Sequence, residues 1–271
     1  SHDETLRVWE VATRRLRQVI PNANARIQFA VAFNPTGDTL AFCMTNHTVT
    51  LLQHETGMTL AGVPMADKSP NVVAFSPQGN RLTCGGRDGA VWIWDLDVSG
   101  AGDVQVAAAA QQIQLQREAI WRLLFSPDGQ LLACVGGGEQ TSVLNAVTGQ
   151  VRYSVPNYYG AYCLDFSKDG QFLLTAGADN AILIRDALTG EILKSLHGHA
   201  SGLTSLSASP DGETIASSSA DGTIRLWNLK TGTCRAILEP PRPYAGMTIS
   251  GATGITPAQR ATLIALGAIG E

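Results

Sequence analysis

The sequence predicts an all-β protein built from repeated units of four short antiparallel strands. Two observations predict this fold class: a turn motif ending in glycine recurs along the chain, and a second mark, often Trp followed by an acidic or amide residue, recurs in the same frame. Self-similarity at a fixed period is the signature of repeat architectures. The repeat therefore decides the fold class before composition is considered.

Each unit contains a short hairpin turn that ends in glycine. The five turns are Asn34–Gly37, Ser76–Gly79, Ser126–Gly129, Ser167–Gly170 and Ser209–Gly212, and their glycines are separated by 42, 50, 41 and 42 residues. Proline fixes φ early in such a turn, Asp or Asn caps the local backbone, and glycine adopts the left-handed conformation. Short strand patterns, such as Val72–Phe75 before a turn and Leu131–Cys134 after one, predict a strand on each side.

Two further marks divide the second half of each unit. The first begins at Trp9, Leu52, Trp94, Leu144, Arg185 and Trp227, with spacings of 43, 42, 50, 41 and 42 residues. A Thr-Gly pair follows at positions 56–57, 148–149, 189–190 and 231–232, where the chain turns into the last strand of the unit. Four short strands for about every 42 residues result.

This pattern resembles the WD-repeat family, in which each repeat supplies one four-stranded blade of a β-propeller. The segment Ser217–Trp227 is close to the family consensus, and Gly198 and His199 stand where the family has its Gly-His pair. The resemblance covers residues 1–239. It implies a β-propeller of four-stranded antiparallel blades, with about five and a half blades present.

The resemblance also implies a structural set of hydrogen-bonded side chains in the last repeat. The members of this set are His199, Ser217, Asp221 and Trp227. In other repeats the tryptophan is replaced, for example by the leucines at positions 52 and 144. We expect apolar stacking, rather than a polar network, to hold those blades.

The repeats divide the chain into two parts. Residues 1–239 are the propeller, and because Ser1–Trp9 aligns with Ser219–Trp227, we expect a partial first blade and a longer parent protein. Eight extra residues around Ser99–Gln114 predict an enlarged loop beyond a strand, or a short helix.

Residues 240–271 form a Pro-rich linker and a C-terminal helical extension, since consecutive prolines cannot donate to a sheet ladder. Thr256 as N-cap and Pro257 at the first helical position predict a helix to about Leu266. The segment Arg242–Ala268 is similar to the C-terminal extension of bacterial WD-repeat proteins, which often carry a NACHT or NB-ARC type ATPase domain upstream. That similarity implies the sensor or scaffold end of a signal-transducing NTPase, with the upstream domains of the same chain as partners.

Composition and motifs exclude several classes of function. The net charge of -4 and the absence of a Lys/Arg-rich block argue against nucleic acid and anionic membranes as partners. The five cysteines include no C-x-x-C pair, which favours a reducing cytoplasm and no metal site. No lysine follows a glycine, and H-E-x-x-H and G-x-S-x-G are absent. We therefore expect no cofactor, no metal and no catalytic set.

The candidate binding residues lie near the start of the first strand of each blade. Alignment on the turns gives one equivalent position, occupied by Phe29, Asn71, Trp121, Tyr162 and Thr204. In members of the family this position lies toward the end of the ring where partners commonly bind. Aromatic and Arg side chains dominate protein interfaces. The predicted protein-binding residues are Phe29, Trp121, Arg122, Tyr158, Tyr159 and Tyr162. The alternative is that these rings only cover the blade ends.

The sequence favours a non-catalytic scaffold or sensor module of a larger bacterial signalling protein, which binds other proteins or peptides. Two alternatives stay open. A docking module fused to a bacterial protein kinase would have the same sequence features. A propeller enzyme would need polar residues at the axis, where the first strands read mostly apolar, as in Val31–Phe33.

Overall fold

The regular structure is almost entirely β-strand, as the repeats predict. The computed structural model describes residues 5–21, 27–44, 46–65, 69–97, 104–107, 110–138, 140–157, 161–240, 247–266 and 268–270. Within these residues there are 23 short strands and one helix, α1 (Pro257–Ala265).

The strands form five blades of antiparallel strands and one two-stranded half-blade. The half-blade consists of β1 (Thr5–Glu10) and β2 (Arg15–Pro21). Blade 1 consists of β3 (Ile27–Phe33), β4 (Thr39–Met44), β5 (Thr48–Gln53) and β6 (Thr59–Pro64). Blade 2 consists of β7 (Pro70–Phe75), β8 (Arg81–Gly86), β9 (Ala90–Asp97), β10 (Gln105–Val106) and β11 (Gln111–Gln114).

The other three blades each have four strands in sequence order. Blade 3 consists of β12 (Ile120–Phe125), β13 (Leu131–Gly136), β14 (Gln140–Asn145) and β15 (Val151–Pro156). Blade 4 consists of β16 (Ala161–Phe166), β17 (Phe172–Gly177), β18 (Ala181–Asp186) and β19 (Ile192–His197). Blade 5 consists of β20 (Leu203–Ala208), β21 (Thr214–Ser219), β22 (Ile224–Asn228) and β23 (Cys234–Leu238). The prediction of about five and a half blades is confirmed.

The glycine-ended motif forms the turn between the first two strands of each blade. In blade 3, Gly129 has a φ of 72°, and its amide donates to the carbonyl oxygen of Ser126 at 2.8 Å. The hydroxyl oxygen of Ser126 accepts from the amide of Leu131 at 2.9 Å. Side chain and backbone together close the turn, as the motif predicts.

The hydrophobic core is divided into five clusters, each lying between two consecutive sheets. The middle strands are buried on both faces; every residue of β13 is buried, for example. The outer strands, such as β19, are largely exposed. Leu52 and Leu144, which stand in place of the family tryptophan, are buried in these clusters. Face-to-face stacking of sheets therefore supplies the apolar contacts expected for those blades.

A recurrent polar contact also joins the fourth strands of blades 2, 3 and 4 to the next blade. The side chain of a fourth-strand residue donates to the backbone carbonyl of a residue 36 positions later, beside the Thr-Gly turn of the next blade. The three pairs are Gln111 Nε2 with Val147 O at 3.1 Å, Arg152 Nε with Leu188 O at 2.9 Å, and Lys194 Nζ with Lys230 O. The repeat therefore fixes contacts between blades as well as strands within them.

The extra residues of blade 2 interrupt its fourth strand. Strand β9 pairs with β11 along residues 90–93 and with β10 along residues 96–97. The expectation of a loop beyond a strand, or of a helix, is wrong for residues 105–106 and 111–114, which are strands. Val104, Val106 and Ala110 pack against the core between blades 1 and 2, which holds this segment against the sheet.

Helix α1 begins and ends close to its predicted limits. Thr256 Oγ1 accepts from the amide of Gln259 at 3.2 Å, and the amide of Thr256 donates to Gln259 Oε1 at 2.8 Å. This reciprocal pair is a capping box. Across the described residues, no helix has both the length and the apolar character needed to cross a membrane.

Candidate functional site

The first strands of successive blades lie beside one another and form the inner wall of the propeller. Neighbouring pairs run from β3 and β7 through β12 and β16 to β20. A cavity of about 900 Å³ opens on this wall. Its described lining consists of Ala30, Val31, Asn71, Val72, Val73, Arg87, Ala119, Trp121, Arg122 and Leu123. We call this region the first-strand cavity.

A β-bulge in each first strand marks the position singled out by the sequence. The register shifts between Pro70 and Val72, between Ile120 and Arg122, between Ala161 and Cys163, and between Leu203 and Ser205. The residues within these shifts are Asn71, Trp121, Tyr162 and Thr204. In β3 the register shifts between Ile27 and Val31, a span that includes Phe29. A bulge leaves a residue out of the ladder and re-aims its side chain. The aligned position is therefore a repeated structural feature.

Trp121 is the largest exposed side chain among the described residues of the cavity wall. Its exposed fraction is 42%. The ring lies against the backbone of Gly137, where an added Cβ would be 3.2 Å from Trp121 Cζ2 and 3.1 Å from the Cβ of Glu118. The indole is thus held on one side and open to solvent on the other. A rigid, half-exposed aromatic ring is typical of an interface anchor.

Two arginines give the cavity a positive character. Arg87 and Arg122 are both exposed and line it, and its described lining includes no acidic residue. Burial raises the pKa of the Cys163 thiol above its ordinary value, and the positive charge of Arg122 partly offsets that effect. Arg122 therefore lies close to the neighbouring blade 4.

The aligned position also serves the fold. Asn71 Nδ2 donates to the carbonyl oxygen of Ile120 at 2.7 Å and so ties blade 2 to blade 3. Thr204 Oγ1 lies 2.9 Å from Ser218 Oγ within blade 5. At these two blades the alternative interpretation, a purely structural role, accounts for the side chain.

The predicted binding residues divide into those the structure brings together and those it does not describe. Trp121 and Arg122 lie side by side in the first-strand cavity. Phe29 and Tyr162 belong to β3 and β16, but their side chains lie outside the described part of the chain, as do Tyr158 and Tyr159 entirely. Sequence reasoning missed Arg87, whose only signal is its place directly before Asp88 in the turn between the second and third strands.

Comparison with known proteins identifies the repeats. The family model described as WD domain, G-beta repeat, matches residues 66–95, 150–186 and 190–228. These three segments are similar to the WD repeat and together make up less than half of the chain. The matched segments contain β7–β9 of blade 2 almost entirely, β15 of blade 3 with β16–β18 of blade 4, and β19 of blade 4 with β20–β22 of blade 5.

Proteins of several eukaryotes are similar to this chain. The anaphase-promoting complex subunit cdc20 of Dictyostelium discoideum is 27% identical over 239 residues, which cover 83% of this chain. The guanine nucleotide-binding protein subunit beta of Oryza sativa subsp. indica is 26% identical over 168 residues, or 59% of this chain. The aligned regions span 45% and 44% of the length of those two relatives. Both relatives are eukaryotic.

The last WD repeat contains a closed set of hydrogen bonds between side chains. His199 Nδ1 lies 2.8 Å from Asp221 Oδ2, and His199 Nε2 lies 2.9 Å from Ser217 Oγ. Trp227 Nε1 donates to Ser217 Oγ at 2.8 Å. Although burial raises the pKa of Asp221, hydrogen bonds from Thr223, from the amide of Ala200 and from His199 hold it below its ordinary value. These hydrogen bonds join the segment that precedes the first strand of blade 5 to the second and third strands of the same blade.

The described residues include no group of three or more His, Cys, Asp or Glu side chains placed to hold a metal ion. The polar groups of the first-strand cavity are the side chains of Asn71, Arg87 and Arg122. Arginine donates hydrogen bonds and stays charged, so these groups favour binding of an acceptor over proton transfer.

Proposed function

We propose that this chain is a non-catalytic protein-interaction module that binds a segment of a partner protein in the first-strand cavity. One observation carries the proposal: the half-exposed Trp121 ring lies beside Arg122 in a large cavity formed at a bulge of the inner strands. Trp and Arg are enriched among the residues that contribute most to protein binding. The mostly apolar remainder of the wall suits burial of apolar side chains.

The charge of the cavity indicates the kind of partner segment. Arg87 and Arg122 both line it, and their positive charge favours a segment carrying Asp or Glu beside an apolar residue. Guanidinium binds carboxylate through two parallel hydrogen bonds, which gives direction as well as affinity. The apolar residue would pack on Trp121.

The relatives support a role as part of an assembly. Two of them are named as subunits, one of the anaphase-promoting complex and one of a guanine nucleotide-binding protein. Proteins with WD repeats generally serve as binding scaffolds, and a repeat of stacked sheets presents a wide surface without requiring a catalytic centre.

The proposal extends to a larger bacterial signalling protein, of which this chain is the sensor or scaffold end attached to an upstream NTPase domain. The similarity of residues 242–268 to the extension of bacterial WD-repeat proteins supports it. A cytoplasmic location is also part of the proposal. The five cysteines are all free thiols, four of them buried, as is usual in a reducing compartment.

Affinity capture with a matched control tests the binding site. The tagged chain and its Trp121→Ala, Arg122→Glu and Trp9→Ala variants would be incubated with lysate of the cells that produce the protein, and captured proteins quantified by mass spectrometry. Trp9 lies on the half-blade and is 54% exposed, so its replacement removes an equally accessible indole elsewhere.

We expect the original chain and Trp9→Ala to capture at least one protein in similar amounts. The captured amount of that protein should be at least tenfold lower with Trp121→Ala and with Arg122→Glu. Loss of a hot-spot side chain usually costs about 2 kcal/mol or more of binding free energy, which corresponds to such a decrease. Equal capture by all four folded proteins would contradict the proposed site.

A further inference from the structure

Blade 4 keeps the aspartate but has different residues at the other three positions of the hydrogen-bonded set that closes blade 5. A shift of 42 residues relates Asn157 to His199, Thr175 to Ser217, Asp179 to Asp221 and Arg185 to Trp227. The strand registers agree with this alignment, because Thr175 pairs with Leu183 as Ser217 pairs with Arg225. Two aromatic rings of blade 5 are thus replaced by an amide and a guanidinium.

A cavity of about 350 Å³ occupies the place of the missing rings. It lies between blades 3 and 4, and the three substituted residues and Asp179 line it. Its apolar wall includes Val155, Ala161, Leu183 and Ile192. Ile192 is 56% exposed and lies at the cavity mouth, so the cavity communicates with solvent. The volume is at the lower end of the roughly 300–1,000 Å³ typical of small-molecule sites.

Arg185 brings a buried positive charge with an unused donor to this cavity. Its side chain is almost fully buried, with 4% of the residue exposed. Nη1 donates to the carbonyl oxygen of Gly190 at 3.0 Å, but the buried Nε has no hydrogen-bond partner. Burial lowers the pKa of Arg185, yet a guanidinium remains charged in proteins. A buried, partly unpaired cation is costly unless an anion completes its hydrogen bonds.

The other ionisable groups near Arg185 limit which anion can bind. Burial raises the pKa of Tyr153 to about 12, so this neighbour is neutral at pH 7. Asp179 lines the cavity and is exposed, and among the described residues no ion pair within 4 Å joins it to Arg185. Burial lowers the pKa of Arg185 and the negative charge of Asp179 partly offsets that effect, so this carboxylate acts on the same region and would repel a second negative charge on a ligand.

We propose that the cavity between blades 3 and 4 binds a small monocarboxylate with an apolar body, whose carboxylate accepts hydrogen bonds from the guanidinium of Arg185. The free Nε donor lies on the edge of the guanidinium that engages carboxylates through paired bonds. The apolar part of the ligand contacts the wall formed by Val155, Leu183 and Ile192. Dicarboxylates are disfavoured because Asp179 stands near the mouth. This site is separate from the first-strand cavity and does not depend on the function proposed there.

Titration calorimetry with defined probes tests the proposal on the 271-residue chain. The probes are phenylacetate and 4-methylpentanoate, with phenylacetamide as the neutral analogue, adipate as a dicarboxylate and inorganic phosphate as a small anion. The variants are Arg185→Gln, which removes the charge, and Ile192→Trp, which narrows the exposed mouth. Arg235→Gln is the matched control, because Arg235 is a partly exposed arginine in blade 5 paired with Glu213. Circular dichroism would verify that each variant is folded.

We expect saturable binding of both monocarboxylates, at least tenfold weaker binding of phenylacetamide and of adipate, and unchanged binding by Arg235→Gln. Arg185→Gln and Ile192→Trp should each weaken monocarboxylate binding at least tenfold. Because Ile192→Trp leaves the buried interior unaltered, it keeps the test valid if Arg185→Gln does not fold. Absence of saturable monocarboxylate binding, equal binding by folded Arg185→Gln, or tighter binding of phosphate would overturn the proposal.

Discussion

Replacement of Ser217 by alanine should destabilise the protein far more than the small change in volume suggests. Ser217 is 1% exposed, and its hydroxyl joins two ring systems. The indole Nε1 of Trp227 can only donate, so Ser217 Oγ accepts from it. Because Asp221 is the partner of His199 Nδ1, that nitrogen carries the proton, and the serine hydroxyl donates to His199 Nε2.

The magnitude follows from the groups that lose their partner. Ser217→Ala leaves the indole N–H of Trp227 and Nε2 of His199 buried without a hydrogen bond. Each unsatisfied buried polar group costs about 1–3 kcal/mol, so the free energy of unfolding should fall by about 3 kcal/mol. Ser218→Ala is the control, since its hydroxyl contacts only the exposed hydroxyl of Thr204. We expect it to cost less than about 1 kcal/mol.

Urea unfolding followed by far-ultraviolet circular dichroism measures both variants against the original chain. The expected result is a lower midpoint for Ser217→Ala with an unchanged dependence on urea concentration, which indicates a change in stability alone. If Ser217→Ala and Ser218→Ala differ by less than about 1 kcal/mol, the hydrogen-bonded set does not stabilise blade 5 as described.

Two further predictions concern the turns between second and third strands and the turns between first and second strands. Because the pKa of Asp221 in the folded protein is below its ordinary value, the ionised carboxylate stabilises the fold fully above about pH 4, and this stabilisation is lost as the pH falls further. The difference in free energy of unfolding between the original chain and Asp221→Asn, measured by urea unfolding, should therefore be smaller at pH 3 than at pH 7. An equal difference at both pH values would contradict this. Gly89→Ala should cost more than about 2 kcal/mol, because φ is 77° and the new Cβ would lie 2.2 Å from the carbonyl oxygen of Gln116. Gly170→Ala should cost only about 1 kcal/mol, because φ is 71° but the new Cβ would lie 3.6 Å from its nearest neighbouring atom. Thermal unfolding that shows Gly170→Ala to be the less stable of the two variants would refute this comparison.

The regular part of the fold could be predicted from the sequence because its signals are local. A turn such as Ser126–Gly129 depends on φ preferences and hydrogen bonds within a few residues, and the same turn motif recurs in each repeat. The capping box at Thr256 is equally local. Blade number and helix limits follow from these signals alone.

Contacts between blades could not be predicted in the same way. Phe33, Phe125 and Phe166 occupy one aligned position, yet Phe33 is 53% exposed while Phe125 and Phe166 are buried, because burial depends on the neighbouring sheet. The fourth strand of blade 2 is split because apolar residues in its insertion, such as Val106, pack on the core between blades 1 and 2. The spacing of residues in the sequence predicts neither the burial of the aligned phenylalanine nor the split in the fourth strand of blade 2.

The position of the candidate site along the chain could be predicted from the sequence, but the cavity and the residues that line it could not. Alignment of the repeats singled out Trp121 and its equivalents, and the bulges give the physical reason, since a residue outside the ladder is free to face the cavity. The contribution of Arg87 depends on how the turn of blade 2 lies against blade 3, which a repeat alignment does not show. The cavity beside Arg185 could not be predicted either, because replacement of Trp by Arg indicates lost packing but not an open volume.

Binding of a partner in the first-strand cavity can be tested by site-specific photo-crosslinking in the cells that produce the protein. A photoreactive phenylalanine analogue would replace Trp121 in one variant and Trp9 in another, and adducts would be identified by mass spectrometry. If a partner binds there, we expect a specific adduct to another protein from position 121 and not from position 9. An absence of adducts at position 121, or the same adducts from both positions, would contradict it.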